Sequence, residues 1–227
     1  MKKSDVWISI AAYNEGKSIS NVIKDLHKNG YMNIVVVDDG SKDATFEFIS
    51  KAGAAALKHI INRGQGAALR TGINYSLLQG AKYVVTFDAD GQHHAEEIES
   101  LLRPVVSGKY DVALGSRFLK KDSNTPLLRR VILKIGIIVV WFLYGIKLSD
   151  SHNGFRVFSR EAAKKISITS DRMEHASQIV EEIHNKKLRY KEVPVTITYS
   201  DYSVAKGQSS WNSVRIGFRM LFRKLLH

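Results

Sequence analysis

A chain of 227 residues with 44% hydrophobic and 25% charged side chains has the balance of an ordinary globular protein and can bury a large core. Disordered, collagen-like and coiled-coil readings are therefore excluded, and the lack of cysteine excludes disulfide scaffolds, thiolate metal sites and cysteine nucleophiles. Lys and Arg number 34 against 22 Asp and Glu, a net charge of +12 that suits an anionic partner such as nucleic acid, acidic lipid or a phosphorylated substrate.

The apolar stretch after Met1-Lys2-Lys3 is interrupted at Asn14-Glu15, too soon for a signal peptide. Residues 6–11 read as a strand, 17–29 as a helix, 33–37 as a strand and 43–53 as a helix. A short strand at 57–60 precedes a helix at 65–79, which is opened by the glycine-rich Asn62-Arg63-Gly64-Gln65-Gly66. The almost wholly apolar 83–87 reads as a strand buried on both faces, then 94–107 as a helix and 111–114 as a strand. This alternation predicts an α/β fold with a mostly parallel central sheet flanked by helices. Ligands of such sheets gather beyond the carboxyl ends of the strands. Those ends carry Tyr13-Asn14-Glu15, Asp38-Asp39-Gly40-Ser41 and Asp88-Ala89-Asp90.

From Ser116 the character changes. Residues 116–130 are basic and loop-like, and 127–148 are apolar with interspersed cations. The longest uncharged apolar run, 135–146, would span about 18 Å as a helix, short of a bilayer core of about 30 Å. It is predicted to be buried or to lie in a membrane interface rather than to cross. Residues 154–158 read as a strand, 174–187 as a helix and 188–198 as a strand, with Pro194 marking an edge. Residues 211–227 read as a basic amphipathic helix: Val214, Phe218, Leu221, Phe222 and Leu225 form one stripe, and Arg215, Arg219 and Arg223 run beside it. Packing on the domain or a dimer interface is the alternative use of both apolar segments. The simplest parse is one domain over 1–205 and a basic C-terminal segment over 206–227.

The acidic centre carries the chemistry. Asp88 and Asp90 at a strand end can face one hard cation and leave positions for diphosphate oxygens and water. Gln92 adds a neutral oxygen, with His93 and His94 nearby. A solvated turn would explain the tripeptide alone, but Asp38-Asp39 ends a neighbouring strand, and four carboxylates repel one another without a cation or donors. The glycine-rich segment opens a helix whose N–H groups suit an anion. It lacks the Lys-Ser/Thr of a P-loop and the spacing of a dinucleotide fingerprint. Diphosphate or sugar contact and a plain helix start both stay open there, and Arg63 and Arg70 are solvated in the second case.

Ala11-Ala12-Tyr13-Asn14-Glu15, Val37-Asp38-Asp39-Gly40-Ser41, Asn62-Arg63-Gly64-Gln65-Gly66, Asp88-Ala89-Asp90-Gly91-Gln92-His93 and Gly115-Ser116-Arg117-Phe118 follow one another in order. Together they resemble the family 2 inverting glycosyltransferases of the nucleotide-sugar-binding GT-A fold, above all the dolichol- or polyprenol-phosphate sugar transferases. Asn153-Gly154-Phe155-Arg156 and Val193-Pro194-Val195 extend the resemblance, which covers about residues 5–207. The family usually has Pro where Ala11 stands.

The resemblance implies a GT-A catalytic domain taking a UDP- or GDP-linked sugar with Mg²⁺ or Mn²⁺. It puts Ala12, Tyr13 and Glu15 on the base side, Asp39 in hydrogen bonds to the base, and Asp88 by the ribose or diphosphate. Asp90 would bind the metal with Gln92, and Lys206 would cover the diphosphate. Arg117, with Arg129 and Arg130, would meet the acceptor phosphate; for these arginines membrane-surface charge or solubility is the plain alternative. Asp150 and Asn153 fall where relatives close over the sugar, so Asp90, Arg117 and Asp150 are the residues expected in the reaction.

Relatives acting on sugar hydroxyls often carry a Glu-Asp pair, and this chain has none. That fits an acceptor already ionised, such as polyprenyl phosphate. Asp150 as a base for a hydroxyl on a polysaccharide or lipid-linked saccharide is the alternative. A sugar nucleotidyltransferase would need a basic glycine-rich triphosphate loop that residues 11–18 lack. A non-catalytic basic binder of membranes or nucleic acid is opposed by the acidic edge and by the lack of a nucleic-acid motif. The expected partners are a nucleotide sugar, a lipid-linked acceptor, a membrane surface, and a second copy or a membrane protein. Several relatives add spanning helices after this domain, so a peripheral location at the cytoplasmic face of the membrane is expected.

Overall fold

The computed structural model describes residues 1–120, 135, 137–138, 141 and 145–199. Expectations for Arg129, Arg130, Lys206, the segment 206–227 and most of 127–148 lie outside these residues. The described chain forms a seven-stranded sheet of β1 (Val6–Ala12), β2 (Ile34–Asp38), β3 (Ala55–Lys58), β4 (Tyr83–Asp88), β5 (Val112–Ser116), β6 (Arg156–Ser159) and β7 (Tyr190–Pro194). Their order is β3-β2-β1-β4-β6-β5-β7, and only β6 runs against its neighbours.

Helices cover both faces, because each strand offers apolar side chains to both sides. β2 is buried along its whole length, as its run of Ile and Val demands. On β1, Val6, Ile8, Ile10 and Ala12 point into one core, while Trp7 and Ala11 pack against apolar clusters on the other face. The first core takes in α1 (Ile19–Lys28), which buries Ile19, Val22, Ile23 and Leu26 at helical spacing, and α4 (Ile98–Val106). The second takes in α3 (Gln65–Leu78), α5 (Arg160–Lys165) and α6 (His175–Asn185), while α2 (Thr45–Lys51) packs by β3.

Several boundaries differ from the sequence reading. The expected strand at 57–60 lies at Ala55–Lys58, because β3 is held by backbone pairing to β2 rather than by apolar side chains; Ile60 is 97% exposed. The expected strand over 188–198 pairs only over Tyr190–Pro194, at the sheet edge that Pro194 suggested. The expected helix at 94–107 begins with a 3-10 turn at Ala95–Glu97, and α5, capped by the Ser159 hydroxyl accepting from the Ala162 N–H at 3.2 Å, had no strong pattern to reveal it. No helix of the described residues is long and apolar enough to cross a membrane.

The registers place the three motif-bearing ends together. Ala12 pairs with Asp38 and Ala11 with Asp88, so the loops after β1, β2 and β4 leave the sheet side by side. Antiparallel β6 starts at that same edge, which brings the loop before Arg156 to Asp88.

Candidate active site

The first two motif loops are laced into one unit. Asn14, in the left-handed region at φ 53°, donates its N–H to the Ser41 hydroxyl at 2.8 Å and accepts from the Lys42 N–H at 2.9 Å. The Glu15 N–H donates to the Thr45 hydroxyl, and the Glu15 carboxylate accepts from Ser18 at 2.6 Å. Ala12 and Glu15 are buried, and Tyr13 is largely exposed beside them. Asp38 turns its own loop by accepting the Ser41 N–H at 2.9 Å.

Asp39 grips the next loop. Its oxygens accept the Arg63 N–H at 3.1 Å and the Gly64 N–H at 2.6 Å, and His59 Nδ1 lies 2.7 Å away. The His59 ring is held from its other nitrogen by Thr71 at 3.1 Å. His59 was not foreseen, because no local pattern ties it to Asp39.

The glycine-rich segment is a packing seam. A Cβ on Gly66 would collide with the Ser170 carbonyl, and one on Gly64 with the Asp171 carbonyl. The Ala67 N–H in the first turn of α3 donates to the Asp171 carbonyl at 3.1 Å, so this helix start is partly capped by the chain itself. Arg70 donates to the Ile168 carbonyl and pairs with Asp171 at 3.0 Å, and Arg63 lies 3.7 Å from Asp171. Neither arginine is simply solvated. Asp171 was not foreseen, because nothing in its local sequence marks a contact a hundred residues away.

The Asp88–His93 loop folds back on its own carboxylates. Asp88 accepts from His93 Nε2 at 2.8 Å and from the Gln65 amide at 3.4 Å. Asp90 accepts the Gln92 N–H at 3.0 Å across a turn in which Gly91 has φ 77°. Gln92 is buried and its carbonyl receives the Thr198 N–H, while His94 reaches the Thr198 hydroxyl at 2.8 Å. Gly154 faces Asp88 so closely that a Cβ there would lie 2.6 Å from a carboxylate oxygen.

Two carboxyls of this loop are driven apart. Burial pushes Asp90 up, the charges of Asp88 and Glu15 add to this, and it rises to about 6. Burial also opposes ionisation of Asp88, but His93 outweighs it, with His175 and Arg156 adding, and Asp88 lies below its ordinary value. Arg156 is buried with no carboxylate in contact among the described residues. It donates to the carbonyls of Asn153 at 3.0 Å, Ala176 at 3.3 Å and Ser151 at 3.5 Å, and burial lowers it to about 10 against the fields of Asp88 and Asp150. His175 donates from Nδ1 to the Arg172 carbonyl at 2.8 Å, and burial together with Arg156 depresses it to about 4.

Across β6 from the acidic loop lies Arg117. Its Nε donates to Asp150 at 2.6 Å, its backbone N–H to the same oxygen at 3.2 Å, and one terminal nitrogen to the Tyr199 hydroxyl at 2.9 Å. Burial works against its charge, but Asp150 and Tyr199 outweigh that and hold it above the ordinary arginine value. Ser149 and the Asp150 N–H are pinned to Glu192 on β7, which fixes the loop behind the pair. Ala12, Tyr13, Glu15, Asp39, Asp88, Asp90, Gln92, Arg117 and Asp150 thus all belong to the loops at one sheet edge.

Among the described residues, no group of three or more His, Asp or Glu side chains converges to hold a metal unaided. The donor set still fits a divalent cation. Asp88 and Asp90 are crowded enough to keep Asp90 from ionising freely, and Mg²⁺ typically binds through one or two carboxylates and completes its shell with phosphate and water.

Comparison with known proteins follows this geometry. The model of the family described as Glycosyl transferase family 2 matches residues 7–167. The chain is 34% identical to the UDP-N-acetylglucosamine–dolichyl-phosphate N-acetylglucosaminyltransferase of Methanococcus voltae, over 97% of this chain and 95% of that one. It is 32% identical to the polyprenol monophosphomannose synthase of Mycolicibacterium smegmatis, over 89% of this chain and 81% of that one. Among solved structures, glucosyl-3-phosphoglycerate synthase from Mycobacterium tuberculosis superposes with a TM-score of 0.74 at 15% identity, covering 96% of this chain and 79% of that chain. The fold is that of the GT-A glycosyltransferases.

Proposed function

The chain belongs to glycosyl transferase family 2, and on that premise we propose that it moves a sugar from a UDP- or GDP-linked donor to the phosphate of a polyprenyl-phosphate lipid, with inversion. The observation that carries the acceptor is the Arg117–Asp150–Tyr199 cluster. A guanidinium held on two sides and kept cationic in a buried place suits a phosphate, whose geometry its fork matches. The named relatives support the same class, since two of them are named for dolichyl-phosphate or polyprenol substrates.

On the donor side, Ala12, Tyr13, Glu15 and Asp39 line the base and ribose end, and Asp88 the diphosphate end. Asp39 does so from a fixed position, because it also anchors the loop at Gly64. Asp90 and Gln92, beside Asp88, would hold Mg²⁺ or Mn²⁺; such an ion, when bound, neutralises the departing diphosphate. The acceptor phosphate oxygen forms a bond to the anomeric carbon as the bond from that carbon to the diphosphate oxygen breaks, and the electron pair leaves with the diphosphate. A phosphate monoester is already ionised near neutral pH, with a second pKa of about 6, so no proton need be removed from the nucleophile. Asp150 fits this chemistry as a holder of Arg117: its Oδ2 accepts from both the Arg117 Nε and N–H. Arg129, Arg130 and Lys206 join the proposal as further contacts to the acceptor and donor phosphates. Action on a lipid acceptor places the protein at the membrane surface, on the cytoplasmic side where nucleotide sugars are made.

The test is nucleoside-diphosphate release over a panel of UDP- and GDP-sugars with Mg²⁺ or Mn²⁺, with and without short-chain polyprenyl phosphate. Lipid-dependent release with sugar recovered in the organic phase is the expected result. Donor turnover that ignores the lipid phosphate but requires a glycan hydroxyl, and that Asp150→Ala abolishes, would replace this reading with a hydroxyl acceptor and Asp150 as its base.

A further inference from the structure

His93 carries no role in the reading above, yet it is built into the donor site more firmly than its neighbours. Its side chain is 2% exposed. The ring stands edge-on to Phe87 at 5.2 Å and tilted against Phe155 at 4.9 Å, and those two phenylalanines contact each other at 5.2 Å. Nε2 points at Asp88 Oδ2 from 2.8 Å, while Nδ1 is buried with no hydrogen-bond partner among the described residues. The ring therefore presents one polar edge, and that edge is spent on one carboxylate oxygen. An apolar side chain would suit the Phe87–Phe155 slot better if packing were all that was required, because a buried unpartnered ring nitrogen has a desolvation cost.

We propose that His93 is a positioning residue: wedged between Phe87 and Phe155, it fixes the Asp88 carboxylate in the one rotamer that leaves its remaining lone pairs toward the cation and diphosphate. Three surrounding facts agree. Among the described residues the oxygen opposite receives only the long 3.4 Å contact from Gln65, so His93 is the firm grip. The bare Cα of Gly154 closes on the same carboxylate and leaves it no room to turn that way. Asp90 is steered separately by the Gln92 N–H, so each carboxylate has its own holder within one six-residue loop. The inference rests on the donor-site reading above and deepens it.

Two substitutions of like polarity and different reach test this. His93→Gln can return an amide N–H to the place of Nε2, whereas the shorter His93→Asn cannot reach Asp88. Titration of each purified full-length variant with Mn²⁺ alone, and with UDP or GDP in its presence, gives affinities; melting in EDTA gives the stability of the fold without ligand. The expected result is that His93→Asn binds Mn²⁺ and nucleotide roughly 10- to 100-fold more weakly, as loss of an outer-shell partner commonly does. His93→Gln should recover most of that loss although the two variants melt within a few degrees of each other. With the lipid acceptor saturating and the nucleotide sugar varied, His93→Asn should show a raised KM for the nucleotide sugar and a smaller change in kcat. Equal affinities for the two variants, whether both wild-type-like or both weak, would overturn the positioning role while leaving the donor site intact. Wild type that binds neither Mn²⁺ nor a nucleoside diphosphate would overturn the donor-site reading and this inference with it.

Discussion

At the corner formed by Asp88, Asp90 and Glu15, three acidic side chains share little water, and Asp90 bears the consequence in a value raised to about 6. A raised acid binds its proton more tightly folded than unfolded, so its share of stability is present at low pH and is lost as pH climbs from about 4 to 6. His175 works the other way. Depressed to about 4 by burial, it is fully favourable above the ordinary histidine value of 6.5 and loses its share as pH falls toward 4. The two slopes oppose each other in the overlapping window. Asp90→Asn should therefore make the ligand-free protein melt higher than wild type at pH 7.5, and should steepen its loss of stability between pH 6 and 4. Mn²⁺ should raise the melting temperature of wild type and leave Asp90→Asn unmoved. A ligand-free Asp90→Asn protein no more stable than wild type at pH 7.5 would mean that Asp90 is not held against its neighbours' charge. Gly154→Ala is the steric counterpart: its methyl would press on the Asp88 carboxylate, and nucleotide binding should fall with little change elsewhere, as isothermal titration would show. At this scale the sequence pointed to the carboxylates that the fold gathers at one sheet edge, and not to what holds them. Asp88 and Asp90 stand out by residue type at a strand end. His59, Asp171 and Tyr199 earn their contacts only from distant parts of the chain.

Among the elements, the start of α3 shows why a glycine pattern is ambiguous when read alone. Gly64 and Gly66 could have cradled a phosphate, and in the fold they admit the backbone of Ser170 and Asp171. Gly66→Ala should cost about 1–3 kcal/mol or more, the range of overpacked cores, because the obstacle is backbone and cannot swing aside. Urea denaturation measures this directly; a variant within 0.5 kcal/mol of wild type, roughly the range of a surface change, would show that the seam yields. Asp171→Asn should cost less than 1 kcal/mol, since its arginine partners are exposed by a third to a half and such pairs are weak. Strands and helices with strong periodicity were legible: β1, β2, β4 and α1 fall within a residue or two of where their apolar patterns put them. β3 was expected two residues too late, because its two alanines facing a partner strand carry no pattern, while the exposed Ile60 does.

Over the whole molecule, β7 is the late addition that closes both the sheet and the site. It pairs in parallel with β5 over five residues, sends Val193 into the core, and leads directly to Val195 and to Tyr199 on Arg117. A chain cut after Lys187 should lose cooperative unfolding and its near-ultraviolet circular dichroism signal; a sharp wild-type-like transition would show that the sheet is complete without its last edge. Topology of this kind was only partly readable. Alternating elements announce a parallel sheet, but the reversal at β6 depends on which strands it meets, and four residues of Arg-Val-Phe-Ser carry no mark of direction. That reversal also sutures the two halves of the chain together, because β6 lies between β4 and β5. β1 to β4 bring the loops that carry Glu15, Asp39, Asp88 and Asp90, and everything from β5 onward brings Arg117, Asp150 and Tyr199; the halves meet along the β4–β6 pairing, at the Gly154–Asp88 contact, where the Ser170 and Asp171 backbone lies on α3, where Arg160 donates to the Leu77 and Ala81 carbonyls, and where Glu97 accepts the Thr196 N–H. A chimera joined between α4 and β5 would have to match all of these surfaces at once, so such a protein would vary its two halves together rather than by recombination between them.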